Sequence, residues 1–337
     1  MSAAVGTAPI LRVEGLCKYF PVYGQGFFKR QVGTVKAADD ISFSLLPGET
    51  LGLVGESGSG KTTVGRTILR AIDPTRGQVH FRCDGRDIDL AKLPTAALRP
   101  LRTRLQMIFQ DPFSSLNPRM TVGDIVGEPL VIHGLAKGRE LEDRIVAMLK
   151  RVALKPEHRT RYPHAFSGGQ RQRIGIARAL IMHPALVIAD EAVSALDVSV
   201  QAQVINLLQD LQQEMGLTYI FIAHDLSVVE HICDRVAVMY AGRIVERAST
   251  EQLFKDPKHP YTKALMSAVP NPDPDCPMEF LLGGEVADPG KLPPGCAFHP
   301  RCPVSFARCK QEPPQPCRFS DGRLAACHLC EEKSSPR

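Results

Sequence analysis

The sequence predicts an α/β fold: a parallel-sheet core, a helical insertion and a C-terminal extension of different composition. One observation carries the core. Apolar runs at 186–189, 218–223 and 236–240 alternate with helical stretches such as 200–215, the pattern of buried strands joined by crossovers. A second marks the extension. Fifteen of the 27 prolines and seven of the ten cysteines lie from Pro257 onward, so long helices and central strands are excluded there.

Taken in chain order, Ile10–Val13, Ile41–Leu45 and Thr50–Val54 read as strands, the last two separated by the turn Leu46-Pro47-Gly48-Glu49. They predict a small, mostly antiparallel sheet leading into a central strand. A helix is expected over 64–71, followed by extended segments at 78–83 and 105–109. Residues 111–180 read as mainly helical, with Ile145, Met148, Leu149 and Val152 at the three-to-four spacing of one helix face. The expected organisation is a domain over 1–255, its helical subdomain over about 111–180, and an extension over 256–337.

With 337 residues, 44% of them hydrophobic, the chain can bury a full core. A net charge of +5 is far from the basic stripe that points to nucleic acid, and no nucleic-acid partner is expected. There is no run of 18 apolar residues and no secretion signal at the N-terminus, which predicts a cytoplasmic chain that forms no pore itself. In that compartment the ten cysteines read as free thiols or a metal site rather than disulfides.

Gly55-Glu56-Ser57-Gly58-Ser59-Gly60-Lys61-Thr62-Thr63 follows an apolar strand and precedes a helix, the context that a phosphate-binding (Walker A) loop requires. Its glycines, Gly55, Gly58 and Gly60, let backbone N–H groups wrap phosphates, and the helix start adds its positive dipole end. Lys61 is expected to reach the β- and γ-phosphates and Thr62 to sit on Mg²⁺, with Ser57 and Thr63 completing the cradle. Downstream, Leu186 to Ala189 is an apolar strand ending in Asp190 and Glu191. Asp190 is the candidate Mg²⁺ holder, and Glu191 the candidate general base for an attacking water. Between the two, Ser167-Gly168-Gly169-Gln170 places a capping serine and two glycines at a helix start, a second anion site.

In this order the motifs resemble the ABC ATPases, whose serine-glycine-glycine-glutamine signature opens a helix just before the Walker B strand. The resemblance implies a P-loop NTPase with a RecA-like parallel-sheet core, an antiparallel β subdomain and a helical subdomain, using ATP and Mg²⁺. It implies that Ser167, Gly168, Gly169 and Gln170 serve the ATP of a partner subunit rather than their own. It makes Gln110 the glutamine that touches Mg²⁺ and the attacking water, Ser194 to Asp197 the loop that crosses to the partner, and His224 the switch histidine on the γ-phosphate. Phe20 becomes the ring that stacks on adenine, with Tyr19 beside it. Two departures, Phe166 for the usual leucine and Ala192 for the common proline, remove no phosphate or metal contact.

Only 56 residues separate Gln110 from Ser167, too few for the long coiled coil of DNA-repair members, and the chain has one ATPase half where translation members have two. Asp111 to Arg119, Arg161 to His164, Ser194 to Gln203, His259 to Thr262 and Pro293 to Cys296 resemble the ATP-binding subunits of bacterial oligopeptide and dipeptide importers. That resemblance runs from about Leu11 to Leu329. It implies an ATP hydrolase that powers peptide import as a peripheral subunit on the cytoplasmic face of the inner membrane. Its implied partners are a second homologous ATPase, two transmembrane permeases and, indirectly, an extracytoplasmic peptide-binding protein. Nickel, glutathione and antimicrobial-peptide importers share these features, and a regulator that binds nucleotide without turnover is the alternative from another class; Glu191 and His224 argue against it.

In the extension, Cys296, Cys302, Cys309 and Cys327 are spaced by five, six and seventeen residues in a proline-rich stretch with little apolar sequence. A bound metal centre would supply the missing cross-links. The importer resemblance suggests a [4Fe–4S] cluster on these four thiolates. Zinc is the competitor, although only Cys327 to Cys330 has the Cys-x-x-Cys form. Cys317 and Cys330 are alternative fourth ligands.

Overall fold

The computed structural model describes residues 8–24, 30–111, 113–267 and 287–334; the stretch of the extension from 268 to 286, with Cys276, lies outside the described residues. The strands are β1 (Leu11–Tyr23), β2 (Gln31–Leu45), β3 (Thr50–Val54), β4 (Arg76–Cys83), β5 (Arg86–Asp89), β6 (Leu105–Ile108), β7 (Leu186–Asp190), β8 (Thr218–Ala223), β9 (Arg235–Tyr240), β10 (Arg243–Ser249), β11 (Cys317–Arg318) and β12 (Leu324–Ala325). The helices are α1 (Lys61–Ile68), α2 (Thr95–Leu101), α3 (Val122–Ile132), α4 (Gly138–Arg151), α5 (Gly168–Leu180), α6 (Val198–Met215), α7 (Leu226–Ile232), α8 (Thr250–Lys255), α9 (Pro260–Ser267), α10 (Ala307–Gln311) and α11 (His328–Ser334). They form two compact units. One is built on Leu46–Thr50 and Leu93–Ile222, the other on Pro9–Leu45, Leu51–Lys92 and the chain from Ala223.

The first unit carries the parallel strands β6, β7 and β8, with β7 between the other two. All five residues of β7 are buried, which explains why its sequence is a continuous apolar run rather than an alternation. Helices α3, α4 and α5 occupy the segment expected to be helical. The α3 start is fixed by a capping box in which Thr121 and Asp124 bond each other's backbone N–H. On α4 the buried residues are Ile145, Met148 and Leu149, the face that the spacing predicted. Helix α6 buries Val204, Ile205, Leu207, Leu208 and Leu211 and stops at Gly216, a left-handed cap that a glycine adopts without strain.

The second unit holds an antiparallel sheet in the order β2-β1-β4-β5. It also pairs β9 in parallel with β3 and antiparallel with β10, and β12 joins β10 to β11. Among its described residues the extension contributes the two-residue strands β11 and β12 to the sheet at β10. A buried carboxylate marks the join: Glu246 on β10 accepts from the backbone N–H groups of Lys258 (2.7 Å) and His259 (2.8 Å). Burial raises its pKa, while those two bonds and Thr262 pull the other way.

Candidate functional site

In the second unit, the phosphate loop runs directly from β3 into α1. Gly55 has φ 150° and Gly60 φ 100°. A Cβ at Gly55 would meet the Met239 carbonyl oxygen at 2.2 Å, and one at Gly60 the Ala37 carbonyl oxygen at 1.9 Å, so neighbouring main chain forces both glycines. The loop is tied down further where Ser59 N–H donates to the Glu56 carbonyl (3.2 Å) and the Ser59 carbonyl accepts from Gly242 N–H (3.0 Å). No side chain caps α1 and no acid occupies its first turn, so no carboxylate there offsets the positive end of the helix dipole that favours an anion.

The Lys61 ammonium is buried and donates to the carbonyls of Gly55 (2.7 Å) and Glu56 (2.9 Å) and to Ser59 Oγ (3.4 Å). These bonds curl the side chain back over the loop that it is expected to serve, with Thr62 and Thr63 following in the first turn of α1. Ser57 and Gly58 form the exposed crest. His224 follows β8 in an exposed position, and Asp225 after it caps α7 by accepting from Ser227 N–H (2.9 Å).

The two rings near the first strand, Phe20 and Tyr19, have different surroundings. Phe20 is 37% exposed, with Lys18 Nζ 4.9 Å from its ring centroid. Tyr19 instead donates its hydroxyl to Asp39, and burial together with that bond pushes its pKa up. Asp39 also receives Arg243 through Nη2 (2.6 Å) and Nε (3.0 Å). Burial would raise the Asp39 pKa, but the bonds from Tyr19 and Arg243 outweigh it and hold the carboxyl below its usual range.

The first unit carries the other motifs. Asp190 is buried at the end of β7. The next residue, Glu191, turns into the left-handed region (φ 47°) and donates its N–H to the Ile222 carbonyl at 2.9 Å. That turn lifts the Glu191 carboxylate off the strand, where Gln110 Nε2 donates to Oε2 at 2.7 Å. The structure therefore brings together the candidate base and the candidate water-positioning glutamine, 81 residues apart in sequence. Ser194 Oγ closes the following turn on the Glu191 carbonyl (3.0 Å).

Ser167 caps α5 in a reciprocal box with Gln170: Gln170 N–H donates to Ser167 Oγ (3.4 Å) and Ser167 N–H to Gln170 Oε1 (3.2 Å). Gly168 and Gly169 form the first turn. Gly169 is buried, and a Cβ there would stand 2.4 Å from Val200 Cγ1 of α6, so packing favours glycine at that position. Arg171 holds the preceding turn through the Pro163 carbonyl (2.8 Å), and its guanidinium lies 4.3 Å from the Phe113 ring centroid.

In the extension, Cys296, Cys302, Cys309 and Cys327 all line one cavity of about 20 Å³, together with His259, Phe298 and His328. Cys317 and Cys330 do not line it. Burial pushes the Cys296 thiol up to about 11, with the other three thiols adding to the shift, and burial also raises Cys302. Cys327 moves the other way, lowered to about 7 chiefly by its hydrogen bond with Cys330. Among the described residues the nine cysteines are all free, and no group of three or more His, Cys, Asp or Glu is drawn together into a metal-holding set.

Three residues at the phosphate loop carry no mark in the sequence. Glu56, inside the motif, donates its N–H to Tyr261 Oη (2.9 Å), and its carboxylate pairs with Arg301 at 2.7 and 3.0 Å. Both partners lie more than 200 positions downstream, and no local pattern marks a contact over that distance.

Residues 38–194 match the family model described as ABC transporter, and residues 245–309 match that of the oligopeptide/dipeptide transporter C-terminal region. A probable peptide ABC transporter ATP-binding protein of Sinorhizobium fredii is 53% identical over 95% of this chain and 90% of its own length. The oligopeptide transport ATP-binding protein AppF of Bacillus subtilis is 51% identical over 97% of this chain and 99% of its own. The dipeptide transport ATP-binding protein DppF of Haemophilus influenzae is 49% identical over 95% and 96%. Among solved structures, cbiO1 from Clostridium perfringens aligns with a TM-score of 0.61 at 28% identity, over 74% of this chain and 91% of that one. The dimeric, ADP- and Pi-bound cassette MJ0796 gives 0.61 at 27% identity, over 71% and 98%.

Proposed function

The chain belongs to the ABC transporter family of ATP-binding proteins, and from that premise we propose that it is the ATP-hydrolysing subunit of a di- or oligopeptide importer. The observation that carries the hydrolytic part is the Gln110–Glu191 pair at the end of β7, because a pure nucleotide sensor has no use for an oriented base. The peptide part is carried by the match over 245–309 and by the names of relatives about half identical over nearly the whole chain.

Each group has a role in cleaving the β–γ phosphoanhydride. Backbone N–H groups of the loop and Lys61 take the charge of the β- and γ-phosphates, and Phe20 offers the open ring for adenine. Mg²⁺ neutralises phosphate charge when bound, and Thr62, Asp190 and Gln110 are the residues that would hold it. Glu191 accepts the proton of the attacking water at a carboxylate oxygen as the water oxygen bonds to the γ-phosphorus. The bridging oxygen leaves on ADP, and His224 steadies the γ-phosphate. Ser167 to Gln170 present the α5 start to the ATP of a second, homologous ATPase, so the working unit is a head-to-tail pair docked on two permeases at the cytoplasmic face of the inner membrane. Among the described residues no helix is long and apolar enough to cross a membrane, which fits a subunit that relies on permeases for the pore. Peptide uptake by cells lacking this chain, restored by the parental gene but not by Lys61→Ala, is the expected result; undiminished peptide uptake without it would reject the cargo.

The extension is read as the seat of a structural [4Fe–4S] cluster on Cys296, Cys302, Cys309 and Cys327. Supporting this, Cys296, Cys302, Cys309 and Cys327, all free, line one small cavity that neither Cys317 nor Cys330 lines, and thiolates are soft donors suited to iron; the four are not drawn together into a metal-holding set in the structure itself. Anaerobically purified protein should be brown, absorb near ~400 nm and carry about four irons per chain. Stoichiometric zinc in colourless protein would replace the cluster with zinc.

A further inference from the structure

The phosphate loop contains a carboxylate that no step of hydrolysis uses. Glu56 follows Gly55, and its carbonyl is one of the three acceptors of the Lys61 ammonium. A negative charge at that place stands on the same loop that must receive a polyanionic triphosphate, and an uncompensated one would oppose binding.

The C-terminal extension supplies the compensation. Arg301 Nη1 and Nη2 meet the two Glu56 carboxylate oxygens at 2.7 and 3.0 Å, the bidentate geometry that fixes direction as well as charge. The Arg301 side chain is 6% exposed and that of Glu56 21%, so the pair is shielded from screening by salt. Tyr261, from α9, is fully buried and takes the Glu56 N–H on its hydroxyl. Behind it the rings of Tyr240, Tyr261 and Phe298 interlock with centroids 4.7 to 5.3 Å apart, and the Arg301 guanidinium lies 6.0 Å from the Tyr240 centroid. Phe298 and Arg301 belong to the short segment that also brings Cys296 and Cys302 to their cavity, where Arg301 N–H donates to the Phe298 carbonyl at 3.0 Å. Two groups from distant parts of the chain thus grip the backbone and the side chain of one loop residue.

We infer that Arg301 is a positioning residue for ATP: it neutralises and aims Glu56, with Tyr261 clamping the backbone, so that the extension sets the affinity of the phosphate loop. The inference rests on the ATP-binding reading above. Removing Arg301 leaves a partly buried carboxylate unpaired beside the phosphates, whereas removing both partners leaves no charge to oppose them.

The test is binding of Mg²⁺ and a fluorescent ribose-labelled ATP to the full chain, parental and variant, with thermal melts alongside. Arg301→Gln should weaken ATP about tenfold, and Arg301→Lys, which keeps the charge, by about threefold or less. The double variant Glu56→Gln/Arg301→Gln should recover most of the loss, an outcome that a merely structural contact would not produce. In the assembled transporter Arg301→Gln should raise KM for ATP and leave kcat near the parental value. Arg308→Gln, in the same extension but bonded to Glu312 and Glu331, should change neither. A double variant as impaired as Arg301→Gln, or an Arg301→Lys as impaired as Arg301→Gln, would overturn the charge role. Unchanged affinity in Arg301→Gln would overturn the inference while leaving the ATP reading intact, and a parental chain that bound no ATP would sink that reading instead.

Discussion

Replacing Gly60 by alanine tests whether the path of the loop backbone, rather than its side chains, holds the nucleotide. At φ +100° a Cβ there would stand 1.9 Å from the Ala37 carbonyl oxygen, where Cβ atoms keep at least 3.0 Å. The obstacle is main chain of β2, which cannot swing aside like a side chain, so the loop must shift by about 1 Å. A misplacement of that size costs on the order of 100-fold in positioned chemistry. The control is Gly216→Ala, which also imposes a positive φ (+65°) but has nothing within 4 Å of the new Cβ. It isolates the conformational strain, about 1 kcal/mol. In thermal melts with ATP at about 100 times its parental Kd, the parental chain and Gly216→Ala should both gain about 2.7 kcal/mol from binding. Gly60→Ala should gain almost nothing. Equal gains in the two variants would refute the assignment of 55–63 as the loop that wraps the phosphates.

Four other outcomes follow from the same structure. Asp39 has a folded pKa below its unfolded value, so its contribution is present above the ordinary carboxylate range and lost as pH falls through the folded value; Asp39→Asn should cost about 2 kcal/mol near neutrality and flatten the acid limb of a denaturation series. Ser167→Ala should cost about 1 kcal/mol through the lost α5 cap. Ser167→Arg, by contrast, should leave nucleotide binding at Lys61 intact and stop turnover at the partner's site, as phosphate release from the assembled pair would show. Cys327→Ser should lower the iron content of anaerobically purified protein and Cys330→Ser should not, since only Cys327 faces the cavity of the other three thiols.

What the sequence disclosed depended on how local the cause was. The apolar run of β7, the heptad-like face of α4 and the Ser167 cap are set by residues within a few positions of each other, and all three were legible. Strand β1 is legible in the sequence only as far as Val13, because register shifts on both sides of Leu16 and the positive φ of Gly15 break the alternation that marks a strand. Strand β10 carries no apolar run, because its buried residues are the small Ala248 and Glu246, a carboxylate satisfied by two backbone donors that sequence does not place beside it. Helix α1 begins at Lys61 rather than 64, since the phosphate loop supplies the helix's first turn itself. The site divides the same way. Loop, carboxylates and signature are contiguous words in the chain, while the grip of Tyr261 and Arg301 on Glu56 spans 205 and 245 positions and exists only once the chain has folded.

The central claim is that this chain hydrolyses ATP with Glu191 as the base, oriented by Gln110. Phosphate release by the chain assembled with its permease subunits, parental against Glu191→Gln, tests it most directly. The account predicts that release falls by about 10² to 10⁴ while ATP affinity stays within about twofold, because the amide keeps the shape and loses only the proton acceptor. Release from Glu191→Gln at the parental rate would contradict it.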